Sequence, residues 1–164
     1  MELRKRLNSK YIFIGLYIFA FLAYIIYGLQ PAEAVNSYDI TGEITIPSIN
    51  LTSDVTNLSL DGNELHTPDT IVGSFTKSEN KTLLIGHSTE VFKNLEQVKI
   101  GDEVDYSNKK YVVSKLTYVE KSKISMKELL KPAEEDTLVI MTCAGELTGN
   151  GDATHRLIIT AVVR

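Results

Sequence analysis

Residues 137–163 read TLVIMTCAGELTGNGDATHRLIITAVV. The stretch opens and closes on apolar, β-branched runs, 137–142 (TLVIMT) and 156–163 (RLIITAVV), each the length of a strand. Between them lies CAGELTGNGDATH, with three glycines, an asparagine and an aspartate. That is the composition of a long loop of the functional kind. If the two strands pair antiparallel, Cys143 at the end of one lies beside Arg156 at the start of the other. A guanidinium next to a thiol favours the thiolate and can hold a developing oxyanion.

The same texture extends N-terminally to Thr41. Six more strands are expected at 41–46 (TGEITI), 49–55 (INLTSDV), 70–75 (TIVGSF), 82–86 (TLLIG), 103–106 (EVDY) and 110–120 (KYVVSKLTYVE). Pro47, Asp61-Gly62, Gly101-Asp102 and Ser107-Asn108 punctuate them. Two short helices are expected, at 89–96 (TEVFKNLE) and at 126–131, where Ser125 and Glu128 have capping-box spacing. Eight short strands with few helices predict an all-β domain, a closed or nearly closed barrel over 41–164.

Ahead of that domain, residues 11–29 (YIFIGLYIFAFLAYIIYGL) hold no charge and no proline. As a helix they would span roughly 28 Å, the thickness of a bilayer's hydrocarbon core. Tyr11 and Tyr27 lie near its ends, and the basic residues Arg4, Lys5 and Arg6 precede it. The expectation is a cytoplasmic tail (1–10), a single membrane-spanning signal anchor (11–29), a stalk (30–40) and a domain outside the cell membrane. A cleaved signal peptide is the competing reading, since Ala32-Glu33-Ala34 fits a small-x-small cleavage site. The apolar run exceeds the usual length of such signals, which favours the anchor.

Net charge is −4 over 164 residues, but it is uneven. Residues 1–30 carry four basic groups against Glu2. The remainder holds the other 13 of 17 basic and 20 of 21 acidic residues, or −7. An acidic body argues against nucleic-acid binding, which needs a basic face.

Export sharpens the question of Cys143, the only cysteine. Outside the cytoplasm thiols tend to pair, yet this one has no partner in the chain. It is a buried small hydrophobe, half of an intermolecular disulfide, or a reactive thiol. The histidines help to choose. His66 sits in a polar turn, and strand alternation turns His155 away from a cysteine that Arg156 faces. His87 ends the buried run TLLIGH, where it can project into a cleft. Cysteine, histidine and arginine at strand ends make a set suited to covalent catalysis.

TLLIGHS, VFKNLEQVKIGDEVDY, TLVIMTC and HRLIITAVV, in that order, resemble the sortases, membrane-anchored cysteine transpeptidases of mainly Gram-positive bacteria. The resemblance covers 41–164 and the anchor before it. It implies the sortase β-barrel, with Cys143 as nucleophile, His87 as general acid/base and Arg156 as the oxyanion-stabilising arginine. It also implies that Thr142, before the cysteine, lines the substrate site. The usual Thr-Leu-x-Thr-Cys reads Val-Ile-Met-Thr-Cys here, and the tryptophan often found upstream of the histidine strand is absent.

The activity so implied is cleavage of a surface protein at a signal resembling Leu-Pro-x-Thr-Gly (LPxTG), between Thr and Gly. The acyl group then passes to an amine of a cell-wall peptidoglycan precursor or of a pilin. No cofactor is expected. Some sortases bind calcium before the cysteine strand, but Glu120, Glu128, Glu134 and Glu135 form no EF-hand pattern and are expected as surface acids. Three rival readings stand beside this one. They are a peptidase that passes the acyl group to water, a tethered binding module with an inert Cys143, and a disulfide-linked envelope scaffold.

Overall fold

A strand buried on both faces needs no polar alternation, and the runs LVIM and TLLI have none. In the computed structural model, which describes residues 38–61, 64–149 and 152–164 together with Phe19 and Phe21, these runs lie side by side in a closed barrel. Its strands are β1 (Ile40–Ile46), β2 (Leu51–Asn57), β5 (Val72–Ser78), β6 (Lys81–Ile85), β7 (Glu103–Tyr106), β8 (Lys109–Glu120), β9 (Thr137–Leu147) and β10 (Ala153–Val163). Around the barrel the order is β1-β2-β5-β6-β9-β10-β8-β7, closed by the pairing of β7 with β1. The β2–β5 and β6–β9 junctions are parallel and the others antiparallel. The short strands β3 (Leu60–Asp61) and β4 (Glu64–Leu65) form a separate two-stranded sheet, where the sequence had shown only a turn. The expected all-β, closed eight-stranded barrel is therefore present.

Alternation sorts the side chains into two cores. Inside the barrel, Ile44, Ile46, Val55, Val72, Leu84, Val104, Val113, Leu138, Ile140, Leu157 and Ile159 pack with Phe92 and Leu95. On the outer face of β6, β9 and β10, a smaller core joins Leu83, Ile85, Val139, Met141 and Ile158. Ile124, Met126, Leu129 and Leu130 of the β8–β9 connection pack against it. Part of that connection is helix α1 (Met126–Leu129), whose N-cap is Ser125: its hydroxyl accepts the Glu128 N–H, as the capping spacing predicts.

Several boundaries differ from expectation, each for a local reason. β2 begins at Leu51 because Pro47–Ile49 is a 3-10 turn closed by Asn50 at φ 50°. The helix expected at 89–96 is instead a run of turns ending in the 3-10 helix Leu95–Gln97. Its hydrogen bonds from Lys93 to Val98 all close over three residues. That tighter winding stacks positions three apart and turns Phe92 and Leu95 into the barrel together. β9 runs past Cys143 to Leu147, and β10 begins at Ala153, so the glycine-rich connection shortens to 148–152.

Tyr38–Arg164 forms one compact unit in itself. The anchor expected at 11–29 lies outside the described residues apart from Phe19 and Phe21. Among the described residues, no helix is long and apolar enough to cross a membrane.

Candidate active site

The ladder between β9 and β10 brings the thiol and the guanidinium together. Arg156 is the Cα partner of Cys143, within a register that runs without interruption from His155↔Ala144 to Val162↔Thr137. Directly opposed residues of an antiparallel pair share a face. That face is the outer one, because Met141 and Ile158, next on the same side, belong to the outer core. Cys143 is partly buried and its thiol is free.

His87 is placed by another route. β6 and β9 are parallel with a constant offset, Lys81↔Thr137 through Ile85↔Met141. Two further bonds carry the offset past the end of β6. The Gly86 N–H donates to the Met141 carbonyl (3.4 Å), and the Thr142 hydroxyl donates to the Gly86 carbonyl (2.8 Å). His87 follows directly, at the position that the same offset aligns with Cys143 along β9. The chain then turns away, with the His87 carbonyl accepting the N–H groups of Glu90 and Phe92. Gly86 is required at this junction. A Cβ there would lie 2.6 Å from Val91 Cγ1 and 2.7 Å from Phe92 Cδ2.

Thr142 occupies the opposite side of β9. Its side chain is 2% exposed, and its hydroxyl is bonded to Gly86. It fastens the end of the His87 strand to the Cys143 strand. His155, as alternation requires, is turned from the face of Arg156, and its Nδ1 lies 2.9 Å from the Thr154 hydroxyl.

The guanidinium of Arg156 is held firmly. Its side chain is 14% exposed. Nη1 donates to the carbonyls of Ala153 (3.0 Å) and His155 (2.9 Å), and Nη2 donates to Asp152 Oδ1 (3.0 Å). Asp152 Oδ2 pairs with Lys121. Neither Asp152 nor Lys121 stands out in the sequence. An acid four residues before an arginine on a strand lies about 13 Å along it, and the two meet only because the arginine folds back along β10.

The thiol and the guanidinium thus stand on one face of the β9–β10 ladder, on the outside of a β-barrel, with His87 just past the end of the neighbouring β6. The Sortase domain family model matches residues 44–164, well over half of the chain, and the chain belongs to the sortase family. Among solved structures, the chain is similar to sortase C-1 from Actinomyces oris, with 26% identity and a TM-score of 0.58 over 80% of this chain and 76% of that one. Listeria monocytogenes sortase A shares the fold at 15% identity, with a TM-score of 0.59 over 76% of this chain and 87% of that one. A lid mutant of Corynebacterium diphtheriae sortase A also shares it, at 22% identity and a TM-score of 0.59, over 86% and 78%. No curated protein matches the chain.

Proposed function

We propose that this sortase-family protein is a cysteine transpeptidase. It would cleave an LPxTG-like sorting signal between Thr and Gly and pass the acyl group to an amine of a peptidoglycan precursor or a pilin. The observation that carries the reading is the opposition of Cys143 and Arg156 on one face of the β9–β10 ladder, level with His87.

The Cys143 thiolate attacks the threonine carbonyl, and the C=O becomes a tetrahedral oxyanion that Arg156 stabilises. The C–N bond breaks, and His87 gives its proton to the departing glycine amine. The thioacyl-enzyme that remains is attacked by the acceptor amine, whose proton returns to His87. The new amide forms as the C–S bond breaks and the thiolate is regenerated. One amide is exchanged for another, so no nucleotide or oxidant is consumed. The apolar run 11–29, with basic residues before it, supports tethering to the cell membrane by one span, with the tail 1–10 cytoplasmic and the catalytic domain outside.

The test is mass spectrometry of the full-length chain with an LPxTG peptide, with and without triglycine. The expected result is a thioacyl adduct on Cys143 that resolves to a glycine-extended product, and neither species from Cys143→Ala. An adduct that only hydrolyses would favour a peptidase. A thiol inert both to the peptide and to alkylating reagents would favour a binding module.

A further inference from the structure

We propose that Asp152 is a positioning residue of the transfer reaction, holding the Arg156 guanidinium so that its remaining donors face the thioester-forming carbon. The inference rests on the reading of Arg156 as the oxyanion ligand and adds the group that aims it.

Asp152 is itself held on several sides. Its carbonyl accepts both the Thr148 N–H (2.7 Å) and the Thr148 hydroxyl (2.8 Å), which closes the loop between β9 and β10. Its Oδ1 accepts the Ala153 N–H (2.9 Å) as well as Arg156 Nη2, and its Oδ2 is paired with Lys121. The carboxylate thus has a fixed place before it meets the arginine. A charge-assisted bond to a planar fork fixes direction as well as distance.

A guanidinium carries five N–H donors. Three of those on Arg156 go to Ala153, His155 and Asp152. Among the described residues, Nε–H and one Nη2–H take no partner. Asp152 and the two carbonyls anchor the rest of the group, leaving these donors to meet an oxyanion. A long arginine without such an anchor would sample several rotamers, and catalysis is sensitive to misplacement on the scale of 1 Å. Lys121 neutralises the second carboxylate oxygen and ties the anchor to the start of the β8–β9 connection. That pair is more exposed, so it is the less important contact.

The experiment uses the full-length chain and the same peptide and triglycine. Asp152→Ala is expected to lower kcat on the order of 10²-fold with KM within about threefold. Asp152→Asn, which keeps shape and loses charge, should fall about tenfold, and Asp152→Glu should recover part of the loss. In an Arg156→Ala background, read as the single-turnover rate of thioacyl formation, Asp152→Ala should add nothing further. A structural role alone would lower both backgrounds equally. Wild-type kcat in Asp152→Asn, or additive losses in the double variant, would overturn the proposal. The Arg156 Nε–H resonance in ¹⁵N NMR provides a readout independent of turnover. Slow guanidinium rotation in the unaltered chain, lost in Asp152→Ala, is expected, and rotation unaffected by the substitution would overturn the proposal. If the unaltered chain forms no adduct, the transpeptidase reading fails, and the NMR result still decides whether Asp152 fixes Arg156.

Discussion

Cys143 and Arg156 are Cα partners across the β9–β10 ladder, on the outer face of the barrel. Sheet hydrogen bonds hold the backbone of both, so their spacing does not depend on a loop. Replacing Arg156 by Ala is expected to reduce turnover by about 10²–10³-fold, the range for loss of an oxyanion donor. Arg156→Lys keeps the charge but loses the fork, and should recover little. Steady-state kinetics on the LPxTG peptide measures both, and a Lys variant near wild-type rate would show that charge alone suffices.

His87 contributes its backbone carbonyl to the turn that follows β6, and a side-chain substitution leaves that carbonyl in place. His87→Ala should therefore retain its melting temperature within a few degrees. Its turnover should fall about 10²-fold or more, through loss of the proton carrier. A variant that is inactive because it is unfolded would show the reverse pattern in a thermal melt.

Gly86→Ala addresses the same junction through packing. The added methyl meets Val91 and Phe92 at under 3 Å, and Phe92 is 1% exposed in the barrel core. Overpacking of this kind costs about 1–3 kcal/mol. Denaturant unfolding should show that loss, together with lower turnover as the end of the His87 strand shifts.

Thr142→Val exchanges the hydroxyl bonded to Gly86 for a methyl group. The Gly86 carbonyl loses its 2.8 Å partner, at a cost of about 1–3 kcal/mol if it remains buried. Stability and kcat should both fall while KM for the peptide changes little, and Thr142→Ser should restore both. A change confined to KM would instead place Thr142 against the substrate.

Among the described residues, Asp102, Tyr111 and Tyr118 have shifted carboxyl or hydroxyl groups that give stability a dependence on pH, and the first two are the more readily tested. The Ser48 hydroxyl, then the Lys99 N–H, hold the Asp102 carboxyl below its ordinary value. Its contribution is present above the ordinary carboxylate range and is lost as pH falls through the lowered value. Ser48→Ala should flatten that acid arm. Burial, then the charge and the hydrogen bond of Asp136, push the Tyr111 hydroxyl above its ordinary value. Its contribution is complete below about pH 10 and declines as pH rises from there toward the raised value. Urea midpoints measured against pH should show a smaller alkaline decline in Tyr111→Phe, with Tyr118, whose hydroxyl burial also raises, supplying part of what remains.

Much of this architecture is legible locally. The runs TLVIMT and RLIITAVV are strands because β-branched and apolar residues fit a sheet buried on both sides. The opposition of Cys143 to Arg156 then needs only the assumption that these neighbouring strands pair. Ser125 caps α1 as its spacing implies. The run TEVFKNLE misleads because its apolar spacing fits an α-helix, whereas the barrel accepts Phe92 and Leu95 together only from tighter turns. The strand ends near Cys143 were less legible, because Gly145 at φ +79° and a register shift between Ala153 and His155 extend the ladder into what reads as loop.

By itself, the sequence determined the strand content, the cysteine and arginine that adjacent strands oppose, and the histidine at a strand end. These follow from side-chain period and from neighbours close in the chain. Only the tertiary structure decided that β6 lies parallel to β9, 56 residues away, bringing His87 level with Cys143 through Thr142 and Gly86. It also decided that Arg156 folds back on Asp152, and that Lys121 completes the anchor. Such contacts depend on how the barrel closes and on where a long side chain finds its counter-charge, which no local propensity encodes.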